Sequence, residues 1–131
     1  MNLALPTTVY LLEQDTDITE TIRSLCEEKS LMLECFQTSS ALINAVHKKA
    51  PACVIVANDK PCGQALGLLS TLNNEESTIP VIILGDHSDV ASAVAGIKAG
   101  AIDYIEKPVI YGRLAEHFNQ FIKQPVAMSL L

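Results

Sequence analysis

Cys53-Val54-Ile55-Val56-Ala57-Asn58-Asp59-Lys60-Pro61 is the stretch on which the fold turns. Apolar or thiol side chains run without interruption, small and polar residues follow, and a proline closes the segment. A run with no in-and-out alternation reads as a strand buried on both faces, the situation inside a parallel sheet under two layers of helix. In open α/β sheets the chemistry lies just beyond the carboxyl ends of such strands. Residues 57–59 are therefore expected to face a crevice. Where a reactive group is expected, the strand delivers an alanine.

The same grammar extends in both directions. Thr8 to Leu12 reads as a first strand, with Glu13-Gln14-Asp15 at its end. Asp17 with Glu20 resembles a capping box, and Ile18, Ile22, Leu25 and Cys26 recur at helical spacing, which predicts a helix from about Asp17 to Lys29. Leu31 to Phe36 is a second strand. Thr38, Ser39 and Ser40 offer caps for a helix that buries Leu42, Ile43 and Val46 and stops at Lys48-Lys49 and Pro51.

Ala52 to Val56 is the third strand. Gly63 to Leu72 is a third helix with Leu66, Leu69 and Leu72 inward, weakened by Gly67. Pro80 opens a fourth strand, Val81-Ile82-Ile83-Leu84, a position where proline is tolerated. Ser88 or Asp89 caps a fourth helix with Val90, Val94 and Ile97 on one face, closed by Gly100. Ala101 to Ile105 is a short fifth strand, and Leu114, Phe118, Phe121 and Ile122 mark a final helix to about Lys123. Five strands alternating with five helices imply right-handed crossovers and a doubly wound α/β domain with a parallel sheet. The 131 residues suit one domain over 1–125, with 126–131 as a tail or the start of a linker.

Composition narrows the function. The net charge is -6, with 9 Lys plus Arg, and no basic stripe is available for phosphate contacts, so direct nucleic-acid binding by this chain is disfavoured. No apolar run approaches the ~18 residues of a membrane span. The opening residues lack the pattern of a secretory signal. A soluble, cytoplasmic domain is expected.

The four cysteines form no CxxC. Cys26, Cys35 and Cys53 are expected to be small buried hydrophobes. Cys62, in the loop before a helix, is the candidate for a redox role. His47 and His117 are expected on exposed helix faces, and His87 flanks the crevice without a second histidine to complete a metal site. Neither a P-loop nor a Gly-x-Ser-x-Gly elbow is present, and aromatics at 5 % with no tryptophan argue against a flavin.

The order of elements resembles the receiver domain of bacterial two-component response regulators. The resemblance covers about Thr8 to Lys123. It is strongest in Ile79-Pro80-Val81-Ile82-Ile83-Leu84 and in the segment from Asp89-Val90 through Lys98-Ala99-Gly100-Ala101-Ile102-Asp103-Tyr104-Ile105-Glu106-Lys107-Pro108. It implies a flavodoxin-like sheet in the order 2-1-3-4-5. In ordinary receivers an acidic pair after the first strand binds magnesium, and an aspartate ending the third strand takes a phosphoryl group. A hydroxyl residue ending the fourth strand and a lysine after the fifth contact that group. Carboxylates hold the hard cation, while the cation, hydroxyl and ammonium neutralise developing charge.

Carried over residue by residue, the acceptor position falls on Ala57, the acidic pair on Glu13 and Gln14, and the hydroxyl on Gly85. Lys107 matches, followed by Pro108, and the resemblance implies a cis bond between them. Tyr104 matches the switch aromatic, and with Gly85 lacking a side chain it is expected fixed and inward. The set implies a degenerate receiver: not an enzyme, no cofactor, and magnesium bound weakly at best through Glu13 and Asp15. Lys107 is expected to pair with Glu13.

The implied role is a signalling module that pairs with itself or a protein partner. The contact face would be the fourth helix, fifth strand and fifth helix, around Val90, Val94, Ile97, Lys98, Tyr104 and Arg113. The chain would then form the amino-terminal part of a transcription regulator or stand alone. Two alternatives are a phosphorylatable receiver with Asp59 as displaced acceptor, and a redox or small-ligand sensor using the acidic crevice and Cys62.

Overall fold

The computed structural model describes residues 7–58, 64–86, 89–108 and 110–123. Asp59, Cys62, Gly63, His87, Ser88, the Ile122 side chain and the 126–131 tail, all of which figure in the sequence expectations, lie outside the described residues. The elements are β1 (Thr8–Leu12), α1 (Thr16–Glu28), β2 (Met32–Phe36), α2 (Ser39–Lys48), β3 (Cys53–Ala57), α3 (Gln64–Asn74), β4 (Val81–Gly85), α4 (Val90–Lys98), β5 (Asp103–Glu106) and α5 (Tyr111–Lys123). All strand pairs are parallel, and the order is β2-β1-β3-β4-β5. The parallel sheet is the one that the alternating pattern predicted, and its flavodoxin-like order is the one that the resemblance implied.

Both faces of the sheet are buried, which accounts for the unbroken apolar runs. Val9, Leu11, Cys53, Ile55, Ile82, Leu84 and Ile105 point to one side, against Ile18, Ile22 and Leu25 of α1 and Leu114 and Phe118 of α5. Tyr10, Leu12, Val54, Val56, Val81, Ile83 and Tyr104 point to the other, with Leu42 of α2 and Leu68, Leu69 and Leu72 of α3. Each fully buried aliphatic side chain contributes roughly 1.5–3 kcal/mol relative to exposure. The central strands β1, β3 and β4 therefore carry most of the hydrophobic stabilisation.

β2 departs from expectation. It lies at the sheet edge, where Met32 is 66 % exposed, and Cys35 is exposed rather than buried. Cys35 faces the α1 side near Arg23, 3.9 Å from Nη2. An edge strand has sheet on one flank only, so its outer residues lack the cover that an apolar run suggested. Burial pushes the Cys26 thiol up to about 11 and the Cys53 thiol upward as well, which keeps both protonated as packing groups.

Other boundaries move for identifiable reasons. α1 is capped by Asp15 rather than Asp17: Asp15 Oδ1 accepts the N–H groups of Asp17 (2.9 Å) and Ile18 (3.2 Å). In α3, Ala65 and Leu68 are buried and Leu66 only partly so. β5 begins at Asp103, because Ala101 belongs to the turn that closes α4, its N–H donating to Gly96 C=O at 3.0 Å. α1, α3 and α4 all end in this wrapped turn, with Leu31, Ser77 and Ala101 N–H reaching back to Cys26, Leu72 and Gly96. The left-handed residue in each is Ser30 (φ 61°), Glu76 (φ 57°) and Gly100 (φ 111°). Only Gly100 adopts it without a steric penalty.

Candidate functional site

The strand ends bring Glu13, Ala57, Asn58, Gly85 and Lys107 to one edge of the sheet. Glu13 follows β1 and Lys107 follows β5, so their contact spans the ends of β3 and β4, which lie between. Lys107 Nζ stands 2.9 Å from Glu13 Oε1 and 3.2 Å from Oε2. The Glu13 side chain is fully enclosed and that of Lys107 is 16 % exposed. Oε2 accepts hydrogen bonds from Lys107 and from Asp15 N–H at 3.0 Å. The closer approach to Oε1 is poorly directed, and that oxygen has no hydrogen-bond partner among the described residues. The attraction there is Coulombic. Lys107 N–H donates to Gly85 C=O at 2.8 Å, and the Lys107–Pro108 bond is cis.

Ala57 is completely buried at the end of β3 and offers only a methyl group. Its carbonyl accepts from Gln64 Nε2 at 3.1 Å, while Asn58 N–H bonds to Leu84 C=O at 2.8 Å. Gln14 points to solvent. Asp15 is engaged as the α1 cap. The residues present do not fit a magnesium ion well: one carboxylate faces an ammonium, the second caps a helix, and β3 supplies none.

Tyr104 is turned inward and only 8 % exposed. A Cβ built on Gly85 would overlap Tyr104 Oη and Cζ. The ring thus fills the volume that a side chain at position 85 would take. Tyr104 Oη and Asn58 Oδ1 are both enclosed and lack a well-formed hydrogen bond among the described residues. Burial raises the Tyr104 phenol above its ordinary value. The nearby Asn58 amide pulls it down, and the negative charges of Asp89, Asp86 and Glu106 push it further up.

A second region lies on α4. Val90 (69 % exposed), Val94 and Ile97 form an apolar stripe on its outer face, with Lys98 alongside and Ile102 exposed at the following turn. Ala93, Val94, Ile97 and Lys98 line a shallow depression there. Of the contact residues expected from sequence, Val90, Val94, Ile97 and Lys98 come together. Tyr104 faces the interior instead.

Arg113 is committed to an ion pair. Asp103 Oδ2 takes Arg113 Nε at 3.0 Å and His117 Nε2 at 2.8 Å, Oδ1 takes Tyr104 N–H at 2.8 Å, and Arg113 Nη2 also contacts Oδ1. His117 is therefore not a free exposed residue, because β5 presents a carboxylate one helical turn along from Arg113. Burial pushes the Asp103 carboxyl up, but the hydrogen bonds from Arg113, His117 and the Tyr104 amide outweigh it and hold it below the ordinary value. His47 is exposed as expected and bridges α2 to Glu75 at 3.0 Å. Asn58 stands at the crevice as expected for residues 57–59, whereas the roles of Gln64 as a donor to the Ala57 carbonyl and of Asp103 as the partner of Arg113 and His117 were not anticipated.

A model of the response regulator receiver domain matches residues 9–119. The response regulator protein TodT of Pseudomonas putida is 34 % identical over 100 residues, covering 76 % of this chain and 44 % of TodT. The transcriptional regulatory protein FixJ of Bradyrhizobium diazoefficiens is 27 % identical over 123 residues, covering 92 % of this chain and 60 % of FixJ. The chain thus spans about half the length of these curated relatives. Full-length FixJ from B. japonicum superposes with a TM-score of 0.78 at 25 % identity over 93 % of this chain and 61 % of that one. A receiver domain protein from Clostridium thermocellum gives 0.77 at 21 % identity, over 93 % and 98 %. With its five-stranded parallel sheet and its lysine at the crevice, the chain belongs to the response regulator receiver domain family.

Proposed function

We propose that this chain is a degenerate receiver that works as a phosphorylation-independent interaction module in signal transduction, without catalysis and without a bound cofactor. The observation that carries the reading is Ala57, a buried methyl group at the end of β3 where the family's chemistry needs a carboxylate. Two further features support it. The position-85 hydroxyl is replaced by a glycine whose space Tyr104 occupies, and the Lys107 charge is met internally by Glu13. Glu13, Gln14, Ala57, Gly85 and Lys107 are then a retained scaffold, and any magnesium held by Glu13 and Asp15 is weak.

The output is contact through the α4 face, with a second copy or a protein partner, and no direct contact to nucleic acid. Val90, Val94 and Ile97 supply apolar area and Lys98 a polar rim. A place in the cytoplasm fits the free thiols at Cys26, Cys35 and Cys53. Because FixJ is a transcriptional regulatory protein and extends beyond the matched region, we read this chain as the amino-terminal module of such a regulator.

Intact-mass measurement after incubation with acetyl phosphate and magnesium tests the reading. The expected mass is unchanged. A gain of one phosphoryl group would overturn the proposal, and its loss in Asp59→Asn would assign the acceptor to that residue.

A further inference from the structure

The strand starts, at the end of the sheet opposite the crevice, border a cavity of about 210 Å³ between the last turns of α3 and α4. Leu69, Leu72 and Val81, each 2 % exposed, form its apolar floor. Ile102 also lines it and is 44 % exposed, so that side chain borders water, while its N–H is fixed to Val81 C=O at 2.8 Å. The whole of β4, Val81–Gly85, separates this cavity from the crevice.

The polar side of the cavity consists of acceptors. Asn73 Nδ2 donates to Ala99 C=O at 2.7 Å and ties α3 to the cap of α4. That bond sets the amide, with Asn73 Oδ1 beside Gly100, 3.7 Å from where a Cβ on that residue would lie. Ser77 Oγ takes the Ile79 N–H at 3.2 Å and keeps a second lone pair. Thr78 adds another hydroxyl to the lining. The charge is one-sided as well. Both α3 and α4 end at the cavity, and a helix C-terminus carries the equivalent of about half a negative charge. Residues 73–80 contain Glu75, which also meets His47, and Glu76, with no lysine or arginine. Lys98, in the last turn of α4, lines the outer depression with Val94 and Ile97 instead.

We infer that this cavity is a binding site for a short primary alkylamine in its ammonium form, with the chain on the apolar floor and the ammonium among Asn73 Oδ1 and the Ser77 and Thr78 hydroxyl oxygens. The site goes beyond the interaction module proposed above and uses none of its residues. An ammonium has three N–H donors, and the cavity presents three side-chain oxygens. An anion would face two negative helix ends and two glutamates. A wholly apolar ligand would cover the acceptors and give them no donor. Size follows from volume: an apolar cavity of about 150 Å³ admits a six-carbon ring, so this one takes a chain of about five or six carbons. A ligand held there touches the ends of both helices and stabilises the folded chain by mass action.

Titration of the ¹⁵N-labelled chain with n-pentylammonium chloride at neutral pH, read by amide shifts, tests the assignment. Saturable shifts are expected at residues 77–79 and 100–102, with a Kd on the order of 1 mM for so small a ligand. n-Pentanol should bind at least about tenfold more weakly, for want of a charged donor, and sodium pentanoate should not bind. Equal affinity for pentanol, or saturable binding of pentanoate at these residues, would overturn the inference. Shifts centred on Glu13, Ala57 and Lys107 would place the cation in the crevice and overturn it equally. Thr78 is exposed, so Thr78→Lys leaves the core untouched while bringing a rival ammonium to the rim. It should weaken pentylammonium binding at least about tenfold. Unaltered binding in the folded variant would sink the site.

Discussion

Lys107 and Glu13 are 94 positions apart in the chain, yet their charged atoms approach to 2.9 Å inside an enclosed pocket. A carboxylate with its side chain fully enclosed has few other sources of compensation. Breaking such a pair by removing one partner typically costs about 3–5 kcal/mol, whereas replacing both with apolar groups can be nearly neutral. Lys107→Met is therefore expected to destabilise the domain by about 3 kcal/mol or more in urea unfolding at neutral pH. The double variant Glu13→Leu with Lys107→Met should lose clearly less. If the double variant lost the sum of the two single changes, the charges would not be acting as a pair.

Asp103 sets the acid response of the β5–α5 junction. Its folded carboxyl value lies below the ordinary one because Arg113, His117 and the Tyr104 amide outweigh burial. A depressed carboxyl contributes stability that is fully present above its unfolded value, about 3.9, and is lost as pH falls through the folded value. Asp103→Asn should therefore melt lower than the parent at pH 7. Its melting temperature should fall less steeply on acidification, so that the two curves converge at low pH. Parallel curves would show that another carboxylate controls this limb.

α3 carries a glycine where a side chain is welcome and a side chain where a glycine is welcome. A Cβ on Gly67 meets nothing within 4 Å, so Gly67→Ala should stabilise the domain by about 0.5–1 kcal/mol through helix propensity. Glu76 holds the left-handed conformation at the end of this helix (φ 57°), so Glu76→Gly should gain about 0.5–1 kcal/mol by relieving it. Urea midpoints read both. A loss in either variant would mean that the residue makes a contact the backbone geometry does not reveal.

Val94 is 49 % exposed in the middle of the α4 stripe. Val94→Asp should change unfolding free energy by no more than about 0.5 kcal/mol, as for surface changes generally. Association through this face should weaken by about tenfold or more, since a desolvated charge is costly in an apolar contact. Sedimentation across a concentration series would show it. Unchanged association with unchanged stability would place the contact surface elsewhere.

The sheet was legible because its strands are buried on both faces, and a short continuous apolar run bounded by turn residues suits a covered parallel strand. β1 is where the pattern put it, and β3 extends one residue further to take in Ala57. β2 was harder, since Leu31 to Phe36 is also apolar and nothing local says that the strand stands at the margin. The helix starts depended on neighbours. Asp15 and Asp17 are both competent caps, and only the point at which β1 ends selects Asp15. The Tyr104 position was readable from the glycine at 85, because a vacancy predicts an occupant. The link from Asp103 to Arg113 and His117 was not readable, because it depends on how α5 is rotated against β5, which no spacing within either element records.

Chain order gives the charge pair at the crevice a consequence for biosynthesis. Residues leave the ribosome from the amino end at about 5–20 per second. Glu13 therefore emerges roughly 5–20 seconds before Lys107, 94 residues later. Throughout that interval the Glu13 carboxylate has no ammonium to meet, so enclosing it would carry the full desolvation cost of an unpaired charge. The last strand of the sheet is followed by the cation that neutralises the acid at the tip of its first.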